Sequence, residues 1–114
     1  MEIIEIDNIA DLKCAFEKNK LVIIDCYANW CGPCKSLAAK FKSYAYGYTG
    51  KKIIVCKLNI ENCDLKSFVE KYDITSLPTL LLFNGINSEP YVIVGFNWAA
   101  VEKYITTYNN IQLK

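Results

Sequence analysis

Residues 20–27 form an almost unbroken apolar run, Leu21-Val22-Ile23-Ile24 followed by Asp25, Cys26 and Tyr27. A strand wetted on one face alternates apolar and polar residues; a run without alternation fits a strand covered on both faces, inside a sheet that carries helices above and below. The run leads directly into Trp30-Cys31-Gly32-Pro33-Cys34-Lys35. Two thiols then stand one helical turn apart, where a buried strand gives way to a helix. Free N–H groups and the positive end of the dipole at a helix N-terminus stabilise a thiolate, so the segment reads as a dithiol/disulfide redox site.

The remaining pattern builds an α/β chain around that strand. Glu2 to Ile6 predicts a short strand, and Asp7 or Asn8 caps a helix whose apolar face is Ile9, Leu12 and Phe16. The helix after Cys31 presents Leu37, Phe41 and Tyr44 and is closed by Gly47 and Gly50. Ile53 to Leu58 is a third strand, with Asn62 or Asp64 capping a helix that carries Leu65, Phe68, Val69 and Tyr72. Thr79 to Phe83 and Tyr91 to Val94 flank a loop containing Asn84-Gly85 and Pro90, the mark of an antiparallel hairpin. Asn97 then caps a last helix bearing Trp98, Val101, Ile105 and Tyr108. The sum is a mixed sheet with helices on both faces, and no linker divides residues 1–114 into more than one domain.

Composition narrows the chemistry. Of the 114 residues 53% are hydrophobic, enough for a single core, and no segment reads as a repeat or as low complexity. The 13 basic residues, all lysines, are nearly cancelled by 12 acids and are scattered, so neither nucleic acid nor an anionic membrane meets a coherent basic surface. No apolar run approaches the roughly 20 residues that span a bilayer, and Met1 to Glu5 lacks the basic and apolar regions of a signal peptide. A cytoplasmic protein is expected. Histidine and arginine are absent, which leaves carboxylates, lysines, tyrosines and thiols to move protons.

A CxxC pair also occurs in zinc sites and in structural disulfides. Structural zinc normally takes four Cys or His ligands, and here a second CxxC and every histidine are missing, so no metal is expected. A structural staple remains open on spacing alone. So does the role of Asp25, which is either an acid satisfied by the backbone at a strand end or a group perturbed for chemistry.

Val22 to Lys35 resembles the active-site stretch of the thioredoxin family, and Ile74 to Phe83 resembles that family's cis-proline strand. Lys57-Leu58-Asn59 and Val94-Gly95-Phe96 extend the similarity nearly end to end, four motifs in the family's order. The resemblance implies the thioredoxin fold, a central mixed five-stranded sheet in the order βαβαβαββα. It implies a protein-disulfide reductase in which Cys31 is the exposed attacking thiol and Cys34 the buried resolving one. The redox-active disulfide needs no bound cofactor. The Gly32-Pro33 pair is similar to that of the reducing members, whereas oxidising and isomerising relatives usually carry His before the second Cys. Disulfide isomerase or oxidase activity, and a non-catalytic interaction subunit on this fold, are the alternatives.

The same resemblance makes Asp25 the base that deprotonates Cys34 through water, with Lys57 as its neighbour across the sheet. Pro78, in cis, would pack on the cysteine pair and leave the Leu77 backbone free to pair with an extended client segment. Trp30, Gly95 and Phe96 would complete an apolar rim. Client proteins bearing disulfides and a separate thioredoxin reductase are the implied partners of a monomer, since the chain has no Gly-rich dinucleotide motif. Two departures stand out: Tyr27 replaces the family's usual Trp, and Ala39 stands where many members carry a helix-kinking Pro. Cys26 and Cys56 are one residue out of phase with Asp25 and Lys57, so they face the other side of the sheet, buried and inert. Cys63 lies at a helix start; bystander and regulatory thiol are both open for it.

Overall fold

The computed structural model describes residues 1–85 and 88–111. Strand β1 (Glu2–Glu5) is followed by α1 (Ile9–Lys18), β2 (Leu21–Tyr27), α2 (Gly32–Tyr46) and β3 (Ile53–Asn59). A 3₁₀ turn (Cys63–Leu65) leads into α3 (Lys66–Lys71), then β4 (Thr79–Asn84), β5 (Tyr91–Val94) and α4 (Trp98–Asn110). The five strands lie in the order β1-β3-β2-β4-β5. The β1–β3 and β3–β2 pairs are parallel, and β2–β4 and β4–β5 are antiparallel. The apolar run is therefore the middle strand.

Period-two alternation divides the core into two layers. Val22, Ile24, Cys26, Cys56, Leu58 and Leu81 pack against Leu12 and Ala15 of α1 and Phe68 of α3. On the other face Leu21, Ile23, Val55, Leu80 and Leu82 pack against Leu37 and Phe41 of α2 and Val101 and Ile105 of α4. Each fully buried Leu or Ile contributes roughly 1.5–3 kcal/mol through its removal from water, so these layers dominate stability. By the same alternation Asp25 follows Leu21 and Ile23 onto the face that α2 covers.

Side-chain caps fix where the helices begin. Asn8 accepts from the Asp11 N–H at 2.9 Å, and Asp11 in turn accepts from the Asp7 N–H at 3.0 Å. Asn97 accepts from the Ala100 N–H at 3.2 Å. Asn62 rather than Asp64 is the third cap, accepting from the Asp64 N–H at 3.0 Å, and it starts a 3₁₀ turn before the short α3. Tyr72 is the C-cap of α3. Helix α2 runs unbroken through Ala39 and ends at Tyr46 with Gly47 as its C-cap.

Gly50 does not close α2. It lies in the α2–β3 connection, where the Asn109 side chain sits in the space a Cβ would need. The Asn109 Oδ1 accepts from the Lys51 N–H at 2.7 Å and the Tyr48 hydroxyl at 3.2 Å, and Lys51 Nζ donates to the Tyr108 and Ile111 carbonyls at 3.0 and 2.8 Å. A cation at a helix C-terminus meets the negative end of the dipole, so the connection is held to the end of α4. In the β4–β5 hairpin, Asn84 completes β4 and Gly85 takes φ +109°, a left-handed conformation that favours glycine. Residues 86 and 87 of that loop lie outside the described residues.

Candidate active site

Cys31 is the N-cap of α2, at the point where β2 leaves the core, and Pro33 falls in the first turn, where a missing N–H costs nothing. The Cys34 N–H donates to Cys31 Sγ at 3.2 Å. The two cysteines form a disulfide with their Cα atoms 5.3 Å apart. The expected contrast between an exposed Cys31 and a buried Cys34 is absent in this oxidised state: Cys31 is 5% exposed and Cys34 3%. Each sulfur covers the other, and what distinguishes them is that Cys31 Sγ alone caps the helix. Trp30, beside it in the chain, is 69% exposed, and Phe96 is also exposed.

Behind the disulfide lies a cavity of about 350 Å³, lined among others by Asp25, Tyr27, Cys34, Ala38, Ala39 and Lys57. Asp25 is 1% exposed and its Oδ1 has no hydrogen-bond partner among the described residues. Burial pushes its carboxyl up to about 7, against a smaller lowering by the Lys57 charge and a further rise from Glu5. A cavity of this size has room for several waters, and the unpartnered Asp25 Oδ1 offers them an acceptor, so water can link the carboxyl to the cysteine it shares the space with. Strand register pairs Asp25 with Lys57, as expected, but the ammonium lies over the Tyr27 ring, 4.6 Å from its centroid.

The Leu77–Pro78 peptide bond is cis. Pairing of Thr79 with Cys26 brings Pro78 to the same end of the sheet as the β2–α2 connection. The Gly95 N–H, at φ +83°, donates to the Pro78 carbonyl at 2.7 Å, so Leu77-Pro78 and Gly95-Phe96 form one joined edge. Cys63 is elsewhere. It opens the 3₁₀ turn that packs on the α1–α3 face, and its Sγ lies 4.0 Å from Asp64 Oδ1. A one-turn 3₁₀ segment with an acid beside the thiol lacks the α-helix N-terminus expected there. Among the described residues no three Cys, Asp or Glu side chains are grouped to hold a metal ion.

The thioredoxin family model matches residues 6–107. This chain belongs to the thioredoxin family. It is 38% identical over 94 residues to a thioredoxin of Echinococcus granulosus, across 82% of this chain and 83% of that protein. It is 35% identical over 91 residues to thioredoxin-1 of Saccharomyces cerevisiae, across 80% of this chain and 84% of that one. The crystal structure of the reduced Schistosoma mansoni thioredoxin pre-protein superposes with a TM-score of 0.78 at 33% identity, covering 95% of this chain and 99% of that one. The protein is accordingly a thiol–disulfide oxidoreductase of the reductase type, working through the Cys31–Cys34 pair on disulfide-bearing proteins and recycled by a reductase.

Glu5 escaped the sequence reading. Its exposed carboxylate accepts a hydrogen bond at 2.7 Å from the hydroxyl of Tyr27, which lines the cavity. The only advance signal was Tyr27 itself, a hydroxyl-bearing residue where the family usually has Trp.

Proposed function

We propose that Cys31 attacks, Cys34 resolves and Asp25 carries the proton between steps. The Cys31 thiolate attacks a client disulfide, forming a Cys31–client mixed disulfide and releasing the client's other sulfur as a thiolate. Asp25, as carboxylate, takes the Cys34 proton through cavity water. The Cys34 thiolate then displaces the second client sulfur from Cys31. Two electrons pass to the client, and the internal disulfide is restored. The observation that carries this order is the Cys34 N–H on Cys31 Sγ, which stabilises charge on Cys31 and not on Cys34.

Client segments bind in extended form along Leu77, whose backbone has no hydrogen-bond partner among the described residues, with Trp30, Pro78, Gly95 and Phe96 forming the apolar rim. Lys57, Gly32 and Pro33 support the site without contacting the client sulfur. Residues 1–114 act as one domain and as a monomer. Four free thiols, Cys14, Cys26, Cys56 and Cys63, suit the reducing cytoplasm. Turbidimetric insulin reduction with dithiothreitol tests the reading: wild type accelerates it and Cys31→Ser does not, and equal rates would defeat it. Gel filtration at micromolar concentration checks the monomer.

A further inference from the structure

Three charged residues share one rung of the sheet. Register pairs Glu5 of β1 with Lys57 of β3, and Lys57 with Asp25 of β2, so one cation stands between two carboxylates. Residues paired across a rung point to the same face, and α2 covers this one. Yet no ion pair joins Lys57 to Asp25 among the described residues. The ammonium rests on the Tyr27 ring, and that ring is tied by its hydroxyl to Glu5. Glu5, Tyr27 and Lys57 thus form a chain of contacts that passes beside the Asp25 carboxyl without closing on it.

We propose that Glu5 and Tyr27 are positioning residues for the resolving step: they hold the Lys57 ammonium on the tyrosine ring and off the Asp25 carboxylate, and so set the pH range over which Asp25 takes the Cys34 proton. The proposal rests on the reading of Asp25 as that base. One proton moves, from Cys34 Sγ to an Asp25 oxygen, and no electrons. An ammonium in direct contact would hold a buried carboxyl ionised and make it a poor proton acceptor. A cation on an aromatic face is retained well enough to compete with a contact that must desolvate both ions. Glu5 adds a second pull on Lys57 from the far side of the rung, and its own charge opposes ionisation of Asp25. The other charged or titratable groups around the cavity are Cys34, Lys35 and Lys42 of α2, and on β4 the residue opposite Asp25 is the apolar Leu80. Asp7, between β1 and α1, acts on the Tyr27 hydroxyl and not on the Asp25 carboxyl.

The test is an NMR titration of the Asp25 carboxyl carbon in the oxidised protein. Glu5→Gln retains an acceptor for Tyr27 and removes the charge; Glu5 is exposed, so the fold persists. Tyr27→Leu removes the ring and frees Lys57. Each variant is expected to move the Asp25 midpoint downward by roughly half a pH unit or more, the effect of one charge at about two strand spacings or closer. Lys57→Met moves it upward, and Tyr27→Leu added to Lys57→Met moves it no further. An unmoved midpoint in both single variants, or a Tyr27→Leu shift that persists undiminished without Lys57, overturns the proposal. Stopped-flow rates of the resolving step in Asp25→Asn decide separately on the base: an unchanged rate removes that reading and the catalytic consequence, while the titration still reads where Lys57 is held.

Discussion

The backbone N–H of Cys34 donates to the sulfur of Cys31 at 3.2 Å, so one half of the disulfide is marked as the better thiolate by the helix it begins. A charge on Cys31 is met by a donor and by the dipole of the 15-residue α2. Cys34, inside the first turn, has no such donor on its sulfur among the described residues. In the reduced protein at neutral pH, iodoacetamide is therefore expected to alkylate Cys31 well before Cys34, read by peptide mass spectrometry. Cys34→Ser should accumulate a client mixed disulfide on Cys31, visible on a non-reducing gel, because attack proceeds and resolution does not. Cys31→Ser should give no such adduct. Preferential adduct formation through Cys34 would reverse the assignment.

Asp25 couples the site to stability. Its folded-state carboxyl holds a proton up to about 7, against 3.8 for a free carboxyl. Between those limits the folded state binds more protons than the unfolded one, so stability falls as pH rises from about 4 to about 7 and stays lowered above that. At 1.36 kcal/mol per pH unit the full cost is about 4 kcal/mol. Asp25→Asn removes the ionisation. Urea unfolding of the oxidised protein should show the variant more stable by up to about 4 kcal/mol near pH 8, and little changed near pH 4. Equal gains at both pH values would mean that packing, not charge, sets the difference.

That trade was partly legible in the chain. Two-sided burial of β2 follows from its unbroken apolar run, and the phase of Asp25 against Cys26 assigns each a face, because alternation in a strand is strict. Helix starts were legible where an Asn stood in front of an apolar periodicity. Hidden from the sequence were contacts whose partners lie far apart in the chain and carry no pattern. The Tyr27–Glu5 hydrogen bond spans 22 positions. Asn109 meets Lys51 across 58. The burial of Cys31 was also missed, because exposure was carried over from the role of an attacking thiol, whereas a closed disulfide shields both sulfurs.

The free cysteines separate by environment. Burial in the α1–α3 layer pushes the Cys26 and Cys56 thiols up to about 12, with Asp25 and Glu2 respectively adding to the rise. Thiols in that state are neither ionised nor reachable near pH 8. Cys14 and Cys63 are exposed. Ellman's reagent on the oxidised native protein should titrate these two quickly and the other two only after denaturation. Cys14→Ser and Cys63→Ser should each remove one fast equivalent. A third fast thiol would mean that one of the core layers opens under native conditions.

Gly50 carries a cost that its position in a connection conceals. Any Cβ there meets the Asn109 side chain, and Asn109 cannot turn away without losing the Lys51 N–H and Tyr48 hydroxyl. Its amide also donates to the Ile105 carbonyl at 3.1 Å, so the side chain is held at both ends. Gly50→Ala should cost about 1–3 kcal/mol, the range for breaking part of a half-buried hydrogen-bond network. For a domain of this size each kcal/mol lowers Tm by roughly 4–8 °C. Asn109→Ala should lose a similar amount, and Gly50→Ala added to Asn109→Ala should cost little more, since the clash and the network are then already gone. Insulin reduction should be unchanged in the folded variants, because this network joins the C-terminal ends of α2 and α4, away from the α2 N-terminus that holds the disulfide. Full additivity of the two substitutions in thermal unfolding would show that Gly50 is required for its backbone freedom rather than for the space it leaves to Asn109.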